Sequence, residues 1–234
     1  MDSIINMPRT KRGKETLNSI LNSAIQLFYE KGYHATSVKE ITSLAGVASG
    51  TFYIYFESKY CLYKYLLLRC SHMIRKHLTK AIKNCTTRRE AERTGLRAWI
   101  LFVLKNQYLY HIIWESMYID QELFKDYYIS FCRSYMEGLK PAKEKGELQG
   151  IDLEVLSYTL MGAANFLGLR WGIFDEHVQE KEVEFVVEEF MKIIDGGIFN
   201  VGKFREEGFN NKTQMKAEPG KLRFHLSLED EDLV

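Results

Sequence analysis

Proline is scarce in this 234-residue chain: only Pro8, Pro141 and Pro219 occur. Long stretches can therefore run as helix, free of the ring that removes a backbone donor and clashes with the preceding turn. Cysteine is scarce too, and Cys61, Cys70, Cys85 and Cys132 include no CxxC. A zinc site or a disulfide framework needs short, regular spacings, so reduced thiols packed near a core are the reading. His72 and His77 do not share a helix face, and neither a metal nor a cofactor is expected. Long apolar runs are missing: nothing approaches the roughly 18 residues of a membrane span, and the N-terminal stretch has no secretory apolar segment. The expectation is a cytoplasmic protein with no membrane partner. Carboxylates such as Glu115, Asp120 and Glu122 are present, but no HExxH, glycine-rich phosphate loop or nucleophile elbow accompanies them. Nothing argues for an enzyme.

What is present is an ordinary globular composition, 46% hydrophobic and 27% charged, with a net charge of +1 that hides a division. Residues 1–84 carry 13 Lys/Arg against 5 Asp/Glu, and the remainder carries 19 against 26. Such an asymmetry points to a polyanion partner for the first part alone. Between Lys14 and Lys31, Leu17, Ile20, Leu21, Ala24, Leu27 and Phe28 form the stripe of an amphipathic helix, which Gly32 would end. Ser37 with Glu40 has the spacing of a capping box, and Val38, Ile41, Leu44 and Ala45 supply the buried face of a second helix. Gly46 supplies a turn. A short segment from Ala48 to Phe56 follows, and Ser58 opens a long helix. Two helices across a tight glycine turn describe a helix-turn-helix.

The run Thr36-Ser37-Val38-Lys39-Glu40-Ile41, then Ala45-Gly46-Val47, then Gly50 through Lys59, resembles the DNA-binding signature of the TetR (tetracycline-repressor) family. So does the Ala24-x-x-Leu27-Phe28-x-x-Lys31-Gly32-Tyr33 end of the first helix. The resemblance spans about residues 14–62. It implies an all-α fold: an N-terminal three-helix helix-turn-helix DNA-binding domain, then a larger helical ligand-binding and dimerisation domain. The expected bounds are 1–60, with 1–13 as a flexible basic leader, then 61–200, then a C-terminal tail over 201–234. By the same resemblance Ser49, Gly50, Thr51 and Tyr55 would face the major groove. Tyr53 and Lys59 would bind phosphate, and Thr36 and Ser37 would add contacts. For Tyr53 a packed ring with a surface hydroxyl is the rival reading, and for Ser37 a capping role alone. Phe52 and Phe56 read as core. The basic run Arg9, Lys11, Arg12 and Lys14 reads either as an arm along DNA or as a solvated leader. Ala48 stands where the family usually has a polar residue. Alanine caps poorly, so Ser49 capping instead would shift the helix start by one residue.

Residues 87–200 read as further helices, with breaks near Asn106–Tyr108, Asp120, Gly146–Ile151 and Phe174–Gln179. Aromatics are abundant, most of them suited to a core. Rings with polar tips also suit an apolar pocket with a few orienting groups. The resemblance puts the effector cavity among these middle helices, and the candidate lining is Trp99, Phe102, Trp114, Tyr118, Phe131, Tyr135, Asn165 and Phe166. Small residues four apart, Ala164, Gly168 and Gly172, let another helix come close. With Val183, Val187, Phe190 and Ile194 of the last helix, Ala164 and Gly168 are expected at a homodimer interface, although packing within one chain suits these stripes almost as well. In the tail, Leu222, Phe224, Leu226 and Leu228 alternate as in a strand; a loosely held acidic end is the other reading. The functional expectation is a ligand-responsive repressor. As a dimer it would bind a palindromic double-stranded DNA operator, and a small hydrophobic or aromatic effector would release it. The alternative is a helical small-molecule-binding or scaffold protein without sequence-specific DNA binding.

Overall fold

Thr10 starts the first helix at Lys11, six residues before the apolar stripe begins at Leu17. Its side chain accepts from the Gly13 amide at 3.1 Å, and α1 (Lys11–Ala35) follows. The computed structural model describes residues 4–175 and 177–196. Within α1 the helical backbone breaks at Gly32 (φ 81°, ψ 166°), where the sequence places an end, and one further turn follows. Thr36 closes that turn by donating to the carbonyls of Gly32 at 2.8 Å and Leu27 at 3.3 Å. The capping box forms as its spacing requires: Ser37 Oγ accepts from the Glu40 amide, and Glu40 accepts from the Ser37 amide at 2.8 Å. It opens α2 (Val38–Leu44). Lys31 also binds the Glu40 carboxylate, and Lys31 first, then Ser37, pull its pKa down to about 2.

Gly46 (φ 67°) makes the turn into α3 (Ser49–Tyr55). Ala48 occupies the cap position with no side-chain bond, so the helix start does not shift and Ser49 is its first residue. Ser49 Oγ lies 3.4 Å from Thr42 Oγ1 instead. Ser58 caps α4 (Lys59–Ile82) by accepting from the Cys61 amide. Phe28, Phe52, Phe56, Ile20 and Ile41 are fully buried with Leu62 and Tyr63, which seats the first three helices on the start of α4. From Ile5 onward the leader is attached rather than free. Ile5 is buried, and Asn6 donates its amide to the Tyr55 carbonyl at 2.9 Å and its side chain to the Ile54 carbonyl.

The rest of the described chain is α5 (Arg88–Lys105), α6 (Gln107–Ile119), α7 (Gln121–Glu144), α8 (Leu153–Gly172) and α9 (Glu180–Gly196). Thr87, Asp120 and Asp152 cap α5, α7 and α8 with side-chain oxygens, so the breaks fall near the expected places. No strand occurs among the described residues, and no described helix is long and apolar enough to cross a membrane. The strand-like stretch from Leu222 to Leu228 and the rest of the tail lie outside the described residues.

Helix α5 is central, packed against α4, α8 and α9, and one apolar core continues from α1 to α9. This corrects the expectation for the dimer stripes. Val183, Val187 and Phe190 are buried within the protomer, on the α9 face that packs on α5. Arginines at a helical spacing of four clamp the rim. Arg89 meets Asp195 at 2.6 Å, Arg93 meets Glu188 at 2.5 Å, and Arg97 binds both Glu180 and Glu184. The small-residue stripe admits neighbours of the same chain. A Cβ on Gly168 would lie 2.8 Å from Trp99 Nε1 and from the Tyr110 hydroxyl, and one on Gly172 would lie 2.5 Å from Val103. Trp99 also donates to the Ala164 carbonyl at 2.9 Å. Of the six proposed interface residues only Ile194 remains exposed.

Polar bonds tie α6 and the start of α7 to the first four helices. Glu115 accepts from the Tyr33 amide at 2.5 Å, Tyr63 donates to the Ile112 carbonyl at 2.5 Å, and Tyr60 donates to Asp120. The Asp120 bond is the main cause that raises the Tyr60 phenol to about 12, and it holds the Asp120 carboxyl below its ordinary range. For the phenol the folded value lies above the unfolded one. Its contribution is complete below about pH 10 and is lost as pH rises through the folded value. For the carboxyl the folded value lies lower, so its contribution holds above about pH 4 and is lost on acidification. Tyr60→Phe is expected to cost about 1 kcal/mol at neutral pH, allowing for solvent screening. Urea midpoints of the two proteins should converge as pH rises past 10; a constant gap would mean that the hydroxyl contributes nothing through this bond.

Candidate nucleic-acid interface and ligand cavity

Helix α3 has one buried face, Phe52 and Tyr55, and one open face. On the open face Ser49 and Gly50 are exposed, Thr51 is half-buried and Tyr53 is 59% exposed. A Cβ on Gly50 would meet nothing within 4 Å, so the glycine leaves an open surface where another backbone could approach. Ser37 is exposed while its hydroxyl is engaged with Glu40.

Three expected contacts point elsewhere. Tyr55 is buried and donates its hydroxyl to the Gly13 carbonyl at 3.1 Å, tying α3 to the first turn of α1. Thr36 is 1% exposed, because its hydroxyl closes the α1 terminus. Lys59 donates its ammonium to the carbonyls of Tyr33 at 2.6 Å and Thr36 at 2.5 Å, 4.2 Å from the Tyr33 ring centre. That cation satisfies the carbonyl end of α1, and burial lowers its pKa. The ammonium is turned toward those carbonyls.

Two residues were missed. Lys39 is exposed on α2, and Ile54 is 59% exposed beside Tyr53. The helical period legible at Val38 and Ile41 turns Lys39 outward, so the signal was available. Because Asn6 and Gly13 both bond Tyr55, the exposed basic residues Arg9, Lys11, Arg12 and Lys14 are held beside α3.

A cavity of about 370 Å³ lies among α4, α5, α7 and α8, with Phe190 of α9 closing one side. Four of the expected residues line it: Trp99, Phe131, Tyr135 and Asn165. Phe102 packs behind the wall, 6.5 Å from the Trp99 ring centre and 4.8 Å from that of His77. Trp114 and Phe166 line a shallow outer groove, which shares Tyr128 and Asn165 with the cavity. Tyr118 lies on the last turn of α6, 81% exposed, and belongs to neither. The lining includes Ala164 and Phe190, which the stripes had assigned to the interface, and two arginines that sequence reasoning missed, Arg75 and Arg88. Arg75 sits one residue after buried Ile74 and one turn after buried Ser71, so a charge within the buried arc of α4 was the legible sign.

Arg88 is neutralised where it stands. Its guanidinium meets the Glu92 carboxylate at 2.5 Å, Tyr135 donates to the other Glu92 oxygen, and Arg88 Nη1 donates to the Gly138 carbonyl. Burial pushes the Tyr135 phenol well up. Among the described residues Arg75 donates only to hydroxyls, Ser130 at 3.2 Å and Ser134 at 3.5 Å.

Residues 20–66 match the family described as bacterial regulatory proteins, tetR family. Residues 20–66 thus carry the DNA-binding segment of the TetR family. The match covers the core of the first helices, through α2 and α3 and into α4. Over 93 residues the chain is 37% identical to the HTH-type transcriptional regulator YuxN of Bacillus subtilis, covering 40% of the chain and 31% of that protein. It is 29% identical over 115 residues to the HTH-type transcriptional activator FasR of Mycolicibacterium smegmatis, covering 49% and 51%. The chain thus spans about a third to a half of the length of these relatives. Among solved structures, the fatty acid degradation regulator FadR of Bacillus halodurans aligns with a TM-score of 0.69 at 19% identity, over 82% of this chain and 98% of that one. FadR of Bacillus subtilis, in complex with stearoyl-CoA, aligns with a TM-score of 0.64 at 18% identity, over 78% and 100%. These likenesses establish the TetR fold beyond the matched segment. The relatives named are regulators of transcription, not enzymes.

Proposed function

We propose that this protein is a ligand-responsive transcriptional repressor of the TetR family that binds a palindromic operator as a homodimer and leaves it when a hydrophobic or aromatic effector fills the cavity. The observation that carries the reading is the open face of α3, with Ser49, Gly50, Thr51, Tyr53 and Ile54 flanked by the basic first turn of α1. Side chains on such a helix can reach base edges, while Tyr53, Ser37, Lys39 and the α1 cations fix the helix on phosphates. In this division of labour residues 1–60 hold DNA, and residues 61–200 hold the effector and the second subunit. Exposed Phe166 on α8 and Phe185 on α9 are the large apolar side chains that a second copy would cover.

Release would be a population shift. The effector binds better to a conformer whose two α3 helices no longer match the half-site spacing, and it can displace DNA only by as much as that preference. The apolar cavity supports an apolar effector. So do relatives whose names refer to fatty acids, among them the Fatty acid metabolism regulator protein of Bacillus subtilis, 39% identical over 49 residues.

Selection of bound sequences from random duplex DNA tests the proposal. A palindrome is expected with the wild type. Tyr53→Ala combined with Lys39→Ala should weaken binding at least tenfold, and loss of the lysine should shallow the salt dependence by about one counterion. No enrichment at low salt with a folded protein would favour the second reading, a small-molecule-binding protein without sequence-specific DNA binding.

A further inference from the structure

The cavity is chemically lopsided. Its wall is dominated by apolar groups such as Leu96, Phe131 and Met161, yet it contains one positive charge that meets no counter-ion among the described residues. Arg88 spends its charge on Glu92. Arg75 is half-buried and has no carboxylate partner among the described residues; it holds only the hydroxyls of Ser130 and Ser134, both through Nη1. Among the described residues nothing takes up the remaining guanidinium donors. A cation on an apolar wall without an anion is unfavourable, and a carboxylate meets a guanidinium with two parallel hydrogen bonds.

Further polar groups in the same lining have no hydrogen-bond partner among the described residues. The hydroxyls of Tyr127 and Tyr128 make no hydrogen bond to any described residue, although both tyrosines face the cavity. Along α7 the lining extends from Tyr127 to Gly138, about 16 Å at 1.5 Å of rise per residue. An elongated apolar tail has room to lie against it.

We propose that the effector of this cavity is a singly charged amphiphile, a long-chain carboxylate, with its head group on Arg75 and its tail among the apolar side chains. The assignment rests on the reading of the cavity as the effector site and names the chemistry that site takes. One spare cation balances one anion. A coenzyme A thioester has no carboxylate at its acyl carbon, and the lining provides no group of cations for its phosphates.

Calorimetric titration of the full chain with dodecanoate, dodecanol and dodecanoyl-CoA tests this. Dodecanoate should bind at least tenfold more tightly than dodecanol. Arg75→Gln should weaken dodecanoate at least tenfold and erase that difference, with an unchanged circular dichroism spectrum showing that the variant is folded. Arg75→Lys, keeping the charge but not the paired donors, should fall between. Equal affinity for acid and alcohol in the wild type would overturn the proposal, as would a preference that survives Arg75→Gln or tighter binding of the thioester. Binding of none of the three would overturn the effector reading of the cavity itself.

Discussion

Replacing Arg88 by methionine is expected to lower the unfolding free energy by about 3–5 kcal/mol, the largest loss from a single change outside the apolar core. Both partners of the Arg88–Glu92 pair keep only 12% of their side-chain surface exposed. Burial opposes the guanidinium charge, but Glu92 and Tyr135 outweigh it and raise the Arg88 pKa. Removing the arginine alone strands Glu92 beside an apolar cavity with only the Tyr135 hydroxyl to meet it. Removing both charges, as in Arg88→Met with Glu92→Leu, should recover most of the loss, because a buried ion pair is often worth no more than an apolar pair of similar volume. Guanidinium chloride unfolding of the three proteins measures the difference. A single variant within 1 kcal/mol of wild type would show that water reaches the Glu92 carboxylate and that this end of the cavity is wet.

The second large effect is expected at Gly32. Its backbone, φ 81° and ψ 166°, lies where essentially only glycine is found, and another residue held there costs of order 1–3 kcal/mol. A Cβ would also stand 2.9 Å from Glu115 Oε1, the atom that accepts from the Tyr33 amide. The other Glu115 oxygen is buried and has no hydrogen-bond partner among the described residues, so the carboxylate has no alternative bond to take up when displaced. Gly32→Ala should therefore cost about 3 kcal/mol, lowering Tm by roughly 6–12 °C in a chain of this size. Calorimetric melting checks this, and a companion Glu115→Ala background separates the terms. If the backbone dominates, the alanine costs nearly as much without the carboxylate. A Tm unchanged within a degree would mean that the kink relaxes freely.

The helices of this protein were legible because their signals are local. Ser37 with Glu40, Ser58 before a long apolar period, and Gly46 between two short helices each state a boundary within a few residues. Orientation was harder. On a helix as short as α3, Tyr53 and Tyr55 are two residues apart and both amphipathic, and only the carbonyl of Gly13, 42 residues away, decides which is buried. Lys59 looked like a phosphate binder because it opens a helix. Its partners are the carbonyls at the end of α1, which no local pattern announces. The α9 stripe shows the same limit, since apolar spacing says that a face is covered and not by what. The covering was written in the charges. Arg89, Arg93 and Arg97 on α5 recur every four residues, and Glu180, Glu184 and Glu188 on α9 do the same. In the cavity, aromatic richness found Trp99, Phe131 and Tyr135 but passed over Arg75, because a count of rings gives no weight to a single charge in an apolar arc.

Trp99 links the architecture to observation. Its indole N–H is fixed on the Ala164 carbonyl, its ring is nine-tenths buried, and one side of it faces the cavity. The other two tryptophans stand elsewhere, Trp114 in the outer groove and Trp171 near the end of α8. The protein therefore carries a fixed chromophore on the wall of the space its effector would fill. Its fluorescence colour and yield follow occupancy with no label attached, and substituting Trp114 and Trp171 by phenylalanine would leave one optical gauge for the cavity alone.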